Sequence, residues 1–83
     1  MKLQALNITK VNHEREIRGR IGHAADLLEG VTVQTEGEAI KVATDFFQSK
    51  GETVVDVDTL NLWVSDYRGI RYIVGWEVFV ETN

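Results

Sequence analysis

"TVVDVDTLNLWVS" (residues 53–65) and "IRYIVGWEVFVE" (residues 70–81) enclose "DYRG" (residues 66–69). Both runs are rich in β-branched and aromatic residues, and the segment between them carries turn residues. They read as a long β-hairpin. A three-residue loop, Tyr67-Arg68-Gly69, puts Gly69 in the left-handed conformation that this hairpin type requires. Its register pairs Val64 with Tyr72, Leu62 with Val74 and Leu60 with Trp76, all on one face. Further from the turn the parity fails, because Val55 and Val57 fall at odd positions. One extra residue near Asp58-Thr59 repairs it and pairs Val57 with Val78 and Val55 with Val80. In this register Trp76 faces the core. Trp63, Ile73 and Phe79 face away.

Working back from the hairpin, Thr35 and Glu38 form a capping box. Ala39, Val42, Ala43, Phe46 and Phe47 follow at helical spacing, and Gly51 suits a helix C-terminus. "GVTVQ" (30–34) reads as a short strand, and "KLQALNITKV" (2–11) as another with Leu6 and Ile8 on one face. The stretch between them is ambiguous. As a helix, Asn12 caps it, Glu14 and Glu16 lie in its first turn, and Gly30 ends it. Ile17, Ile21, Ala24, Ala25 and Leu28 then form one apolar stripe. As a strand, Ile17 and Ile21 point in and Arg18 and Arg20 point out. A helix over 23–29 is the firmer part, and the helical reading is preferred for the whole. The expected fold is one α+β domain over residues 1–83: a two-layer sandwich with a mixed sheet of about four strands, one or two helices on one face, and the long C-terminal hairpin.

The totals narrow the function. The chain has 83 residues, no Cys, no Pro and a formal net charge of −4. No disulfide or thiolate site is possible. "MKLQALNITK" is too polar for a signal peptide, and no apolar run approaches membrane-spanning length, so a cytoplasmic protein without membrane contact is expected. The charge is uneven. Residues 2–23 hold Lys2, Lys10, Arg15, Arg18 and Arg20 against Glu14 and Glu16, whereas residues 24–66 hold Lys41 and Lys50 against nine acids. Such asymmetry suggests a charged partner or a charged surface of a second copy.

Catalytic and metal chemistry find little support. His13 and His23, ten residues apart, would lie roughly 15 Å apart along a helix and could not share an ion unaided. Asp56 and Asp58 lie on one face of a strand and could serve acid–base chemistry or Mg²⁺. Alternating Asp on an exposed strand more commonly protects an edge. Gly19-x-x-Gly22 lacks the context of a phosphate loop. No metal, cofactor or enzymatic activity is expected. A nucleic-acid or phosphate site finds some support, with Arg15, Arg18 and Arg20 grouped and Tyr67 offering a stacking surface beside Arg68 and Arg71. A sequence pI near 5.0 opposes it.

The leading expectation is a non-enzymatic protein-interaction module that binds a protein partner or its own copy, expected to be a homo-oligomer. Its partner-binding residues are Trp63, Ile73 and Phe79, joined by Asp56 and Asp58. In size, acidity and lack of catalytic groups the chain resembles, by class alone, the small accessory and inhibitor proteins of bacteria and phages, some of them acidic DNA mimics. The Arg15/Arg18/Arg20/Tyr67/Arg68/Arg71 nucleic-acid site is the alternative, and an enzyme using Asp56 and Asp58 the third. Glu52, Asp56 and Asp58, with Glu36 and Glu38, would make the acidic face of a mimic. "HEREIRGRIGH" (13–23) is expected to be a charged outer face, its arginines paired at i, i+4 spacing with Glu14 and Glu16.

Overall fold

The computed structural model describes residues 1–21 and 26–83, the Ile21 side chain excepted. In chain order the elements are β1 (Lys2–Lys10), α1 (Glu14–Ile21), β2 (Leu27–Val33), α2 (Glu36–Ser49), β3 (Val54–Ser65) and β4 (Arg71–Thr82). The strands form one sheet in the order β2-β1-β4-β3. β1 and β2 are parallel, and β4 runs antiparallel to both β1 and β3. The α+β class, the four-stranded mixed sheet and the C-terminal hairpin are those the sequence predicts. Among the described residues, no helix is long and apolar enough to cross a membrane.

α2 closes one face of the sheet. The Thr35 hydroxyl accepts the Glu38 N–H at 3.2 Å and donates to Glu38 Oε1 at 3.3 Å, which is the capping box. At the other end Gly51 has φ 84°. Its N–H donates to Gln48 and that of Glu52 to Phe47, satisfying the last carbonyls of the helix. Between these ends Ala39, Ala43 and Phe47 are buried against Leu6, Ile8, Val33, Trp76, Val78 and Val80. Each large apolar side chain so buried contributes about 1.5–3 kcal/mol.

α1 lies on the opposite face. A Cβ added at Gly75 would meet the Ile8 carbonyl oxygen at 2.4 Å and Ile17 Cδ1 at 2.5 Å. Successive strand residues point to opposite faces, so Ile17 sits across the sheet from Trp76. Topology gives the reason. The β1-to-β2 crossover moves toward one edge of the sheet, and the β2-to-β3 crossover moves back across it. Right-handed crossovers in opposite directions place their helices on opposite faces. One helix therefore covers one face, as expected, and the second packs on the other.

The hairpin register departs from the expected one. Asp66 N–H donates to the Ile70 carbonyl and Gly69 N–H to Asp66, which is the predicted three-residue loop with Gly69 at φ 82°. Val64 pairs with Tyr72 as expected. Leu62 and Leu60 then pair with Gly75 and Glu77 rather than with Val74 and Trp76. The extra residue is Val74 on β4, and a second irregularity falls at Val55. There is none at Asp58-Thr59, and Val57 pairs with Val80. At the Val74 bulge both Val74 and Gly75 oppose Leu62. Val74 fills a cluster with Ile17 and Leu62, and the absent Cβ of Gly75 makes room for Ile17. The bulge inverts the predicted parity. Trp63 and Ile73 share the α2 face with Trp76, whereas Phe79 faces the α1 side.

The N-terminal half holds further corrections. Asn12 is not the cap of α1. It has φ 68° in the preceding turn, and His13 stands just before the helix, its carbonyl accepting the Ile17 N–H. The expected helix over 23–29 fails at Leu27, Leu28 and Glu29, which belong to β2. Residues 23–25 and the Ile21 side chain lie outside the described part, so the full apolar stripe is represented by Ile17. Asn7 of β1 pairs with Leu27, and its N–H donates to Asp26. Satisfying the outer row of β1 outweighs the local helical pattern. Gly30, expected to end a helix, lies within β2 at φ 76° where the pairing with β1 is interrupted.

Candidate functional site

The α1 face is covered over only part of its length. Beyond Ile17, cross-strand pairing arranges this face in three rows: Leu3, Glu81 and Asp56; Ala5, Phe79 and Asp58; and Asn7, Glu77 and Leu60, of which Asn7 is buried. Next comes the row of Thr9, Gly75 and Leu62, where Ile17 sits. In the first three rows Leu3 is 70 % exposed and Leu60 53 %, and the bulged Val55 beside them is 47 % exposed. A shallow groove runs among Leu3, Asp56, Asp58, Phe79 and Glu81. The surface is thus apolar at its centre and carries the carboxylates of Asp56, Asp58, Glu77 and Glu81. Of the five residues expected to bind a partner, Phe79, Asp56 and Asp58 come together here. Leu3, Leu60, Glu77 and Glu81 were not singled out from the sequence. Glu77 and Glu81 lie beside Phe79 by simple alternation within β4, a signal that could have found them; Leu60 needs the β3–β4 register with its Val74 bulge, and Leu3 the β1–β4 register.

Asp56 and Asp58 have a further local role. Asp56 Oδ1 accepts the Val57 N–H at 3.0 Å, and Asp58 Oδ1 accepts the Thr59 N–H at 2.9 Å. β3 is an outer strand of the sheet. These carboxylates therefore occupy backbone donors on a free edge, in keeping with edge protection. Glu52 does not join them: it accepts from Gln4 Nε2 at 2.8 Å. Gln4 lies on the α2 face, where α2 also begins with Glu36 and Glu38. The acidic face of the sequence reading is thus divided, and Glu77 and Glu81 complete it instead.

Trp63 and Ile73 pair with each other on the α2 face, toward the hairpin turn. Trp63 is 38 % exposed, and the Arg71 guanidinium lies 4.8 Å from its ring centroid. Ile73 packs against the cluster beneath α2.

The arginines do not form one patch. Arg15, Arg18 and Arg20 are exposed on α1, Arg71 lies on the opposite face, and Arg68 sits in the turn between them. Arg18 reaches across a groove to Glu29 of β2, rather than pairing with Glu14. Glu16 lies 3.8 Å from His13 Nδ1 instead of pairing with Arg20. Arg68 donates to Asp66 Oδ2 through Nε at 3.2 Å and Nη2 at 2.8 Å. Asp66 Oδ1 accepts the N–H groups of Arg68 and Ile70. The Arg68 guanidinium, aided by these backbone donors, holds the Asp66 carboxyl below the usual carboxylate range. Tyr67 is almost wholly exposed beside Arg68.

His13 stacks near Tyr72, ring centroids 5.4 Å apart, which fixes the start of α1 against the hairpin. No group of three or more His, Asp or Glu residues able to hold a metal ion occurs among the described residues. Compared with protein-family models, curated proteins and solved structures, the chain matches none.

Proposed function

We propose that the protein is a non-enzymatic protein-interaction module of the cytoplasm, self-associating and acting as an accessory or inhibitor protein in a bacterial or phage setting. The observation that carries this reading is the uncovered part of the α1 face. Leu3, Val55, Leu60 and Phe79 lie there among four carboxylates. Exposed apolar area rimmed by charge marks binding surfaces in small proteins. Its negative sign suits a cationic protein surface, including a groove that otherwise holds nucleic acid.

Recovery of binding proteins from host lysate, with and without nuclease, tests it. Recovery should survive nuclease and be lost in Asp58→Lys/Glu77→Lys with circular dichroism unchanged. Those positions flank Phe79 and are not buried. Nuclease-sensitive recovery, lost instead in Arg15→Ser/Arg20→Ser, would replace this reading with the nucleic-acid alternative. Exposed Tyr67 beside Arg68 is the observation that favours that alternative.

A further inference from the structure

The outer edge of β3 is guarded along only half its length. Asp66 N–H donates to Ile70. Alternation therefore turns the N–H groups of Val64, Leu62, Leu60 and Asp58 toward β4, and those of Ser65, Trp63, Asn61, Thr59 and Val57 outward. The Val74 bulge lies on β4 and leaves this alternation intact. Asp56 and Asp58 occupy the outward N–H groups of Val57 and Thr59. Among the described residues, no side chain accepts from those of Asn61, Trp63 and Ser65. Natural edges are protected because an open row of donors and acceptors pairs with another strand. Here the protection stops at Thr59, and the open row begins at Asn61.

We infer that Asn61–Ser65 of β3 is a dimer edge, pairing antiparallel with the same segment of a second copy about a two-fold axis at Trp63. This rests on the self-associating reading above and names its surface. The register follows from the donors. Outward residues must pair with outward residues, and centring on Trp63 pairs Asn61 with the second copy's Ser65. It uses every open N–H of the segment and neither of the guarded ones. Centring on Asn61 would need the N–H of Thr59, already held by Asp58. Centring on Ser65 would run into the turn.

The side chains suit this arrangement. The two Trp63 rings come side by side on the α2 face, where aromatic cross-strand pairs stabilise sheets. On the α1 face Val64 meets the second copy's Leu62 and extends the Ile17, Leu62 and Val74 cluster. The contact is isologous and therefore stops at a dimer.

Light scattering of the intact protein at tens of micromolar, with amide exchange on the same samples, tests the pairing. The wild type should be a dimer whose Asn61, Trp63 and Ser65 amides exchange more slowly as concentration rises. Asn61→Pro removes an outward donor and leaves the β3–β4 ladder whole, as an edge strand permits. It should raise the dissociation constant by roughly 30-fold or more, since a donor is lost from both copies. Trp63→Lys, at a part-exposed position, should also give a monomer, and it serves as the test if the proline variant does not fold. A wild-type monomer at these concentrations overturns the pairing. So does a dimer that persists in both variants or leaves those three amides unprotected. Nuclease-insensitive partner recovery in either case would leave the interaction reading standing, and its loss together with a monomer would end both.

Discussion

The two faces of the sheet are closed in different ways. On the α2 face a fourteen-residue helix with both ends capped lays Ala39, Ala43 and Phe47 on Leu6, Ile8, Trp76, Val78 and Val80. On the other, an eight-residue helix places Ile17 over a glycine. Asn7 and Thr9 are buried on that side too, and Asn7 Oδ1 has no hydrogen-bond partner among the described residues. One face rests on a continuous apolar layer with redundant contacts. The other rests on the smaller cluster of Ile17, Leu62 and Val74 and leaves its far end open. The stability of this domain therefore resides mainly on the α2 face. The surfaces available for binding are those that the helices leave over.

Phe47→Ala should have the largest effect, a loss of about 3–5 kcal/mol in urea denaturation, because it opens a cavity in the continuous layer. Ile17→Ala should follow at about 2–5 kcal/mol. The informative difference is local. Amide exchange in α1 should become fast in Ile17→Ala while α2 keeps its protection. Equal loss of protection in both helices would show that the faces are not separately closed.

Gly75→Ala should cost about 1–3 kcal/mol, by overpacking. Ile17 Cδ1 ends a flexible side chain and can move, but the Ile8 carbonyl belongs to the backbone of a central strand. Adding Ile17→Ala should therefore not restore the stability lost at Gly75. A double variant more stable than Gly75→Ala alone would make Ile17 the true obstacle.

Asp66→Asn touches neither face and should have the smallest effect, confined to acid. The folded-state pKa of Asp66 lies below its unfolded value. Its contribution is therefore present above the unfolded value and is lost as pH falls through the folded one. The stability gap between wild type and Asp66→Asn should be widest near neutral pH and close on acidification. A gap that is constant with pH would separate the turn from Asp66 ionisation.

Legibility in the sequence followed the range of the interactions. The capping box at Thr35 and Glu38, the stop at Gly51 and the turn at Gly69 each depend on residues a few positions apart. So does the α2 stripe, and these all appear where the residues place them. The candidate site was half legible. Asp56 and Asp58 announced an exposed edge by alternation, and Phe79 an outward position on β4. Glu77 and Glu81 lie on that same face of β4 by alternation and were not read, whereas Leu3 was not legible, because β1 and β4 pair across nearly the whole chain. Trp63 and Ile73 were placed on the wrong face for one reason, the bulge at Val74.

By itself, then, the sequence determined the class of fold, the long helix with its two ends, and the hairpin with its turn, because local hydrogen bonds and side-chain periodicity decide these. Only the tertiary structure decided the rest. Pairing with β1 drew Leu27–Glu29 into a strand. The close approach of Ile17 to Gly75 accompanies the bulge that turned Trp63 and Ile73 to the α2 face. A one-residue shift in a ladder reverses every side chain beyond it, and the residues that set this one lie far apart in the chain.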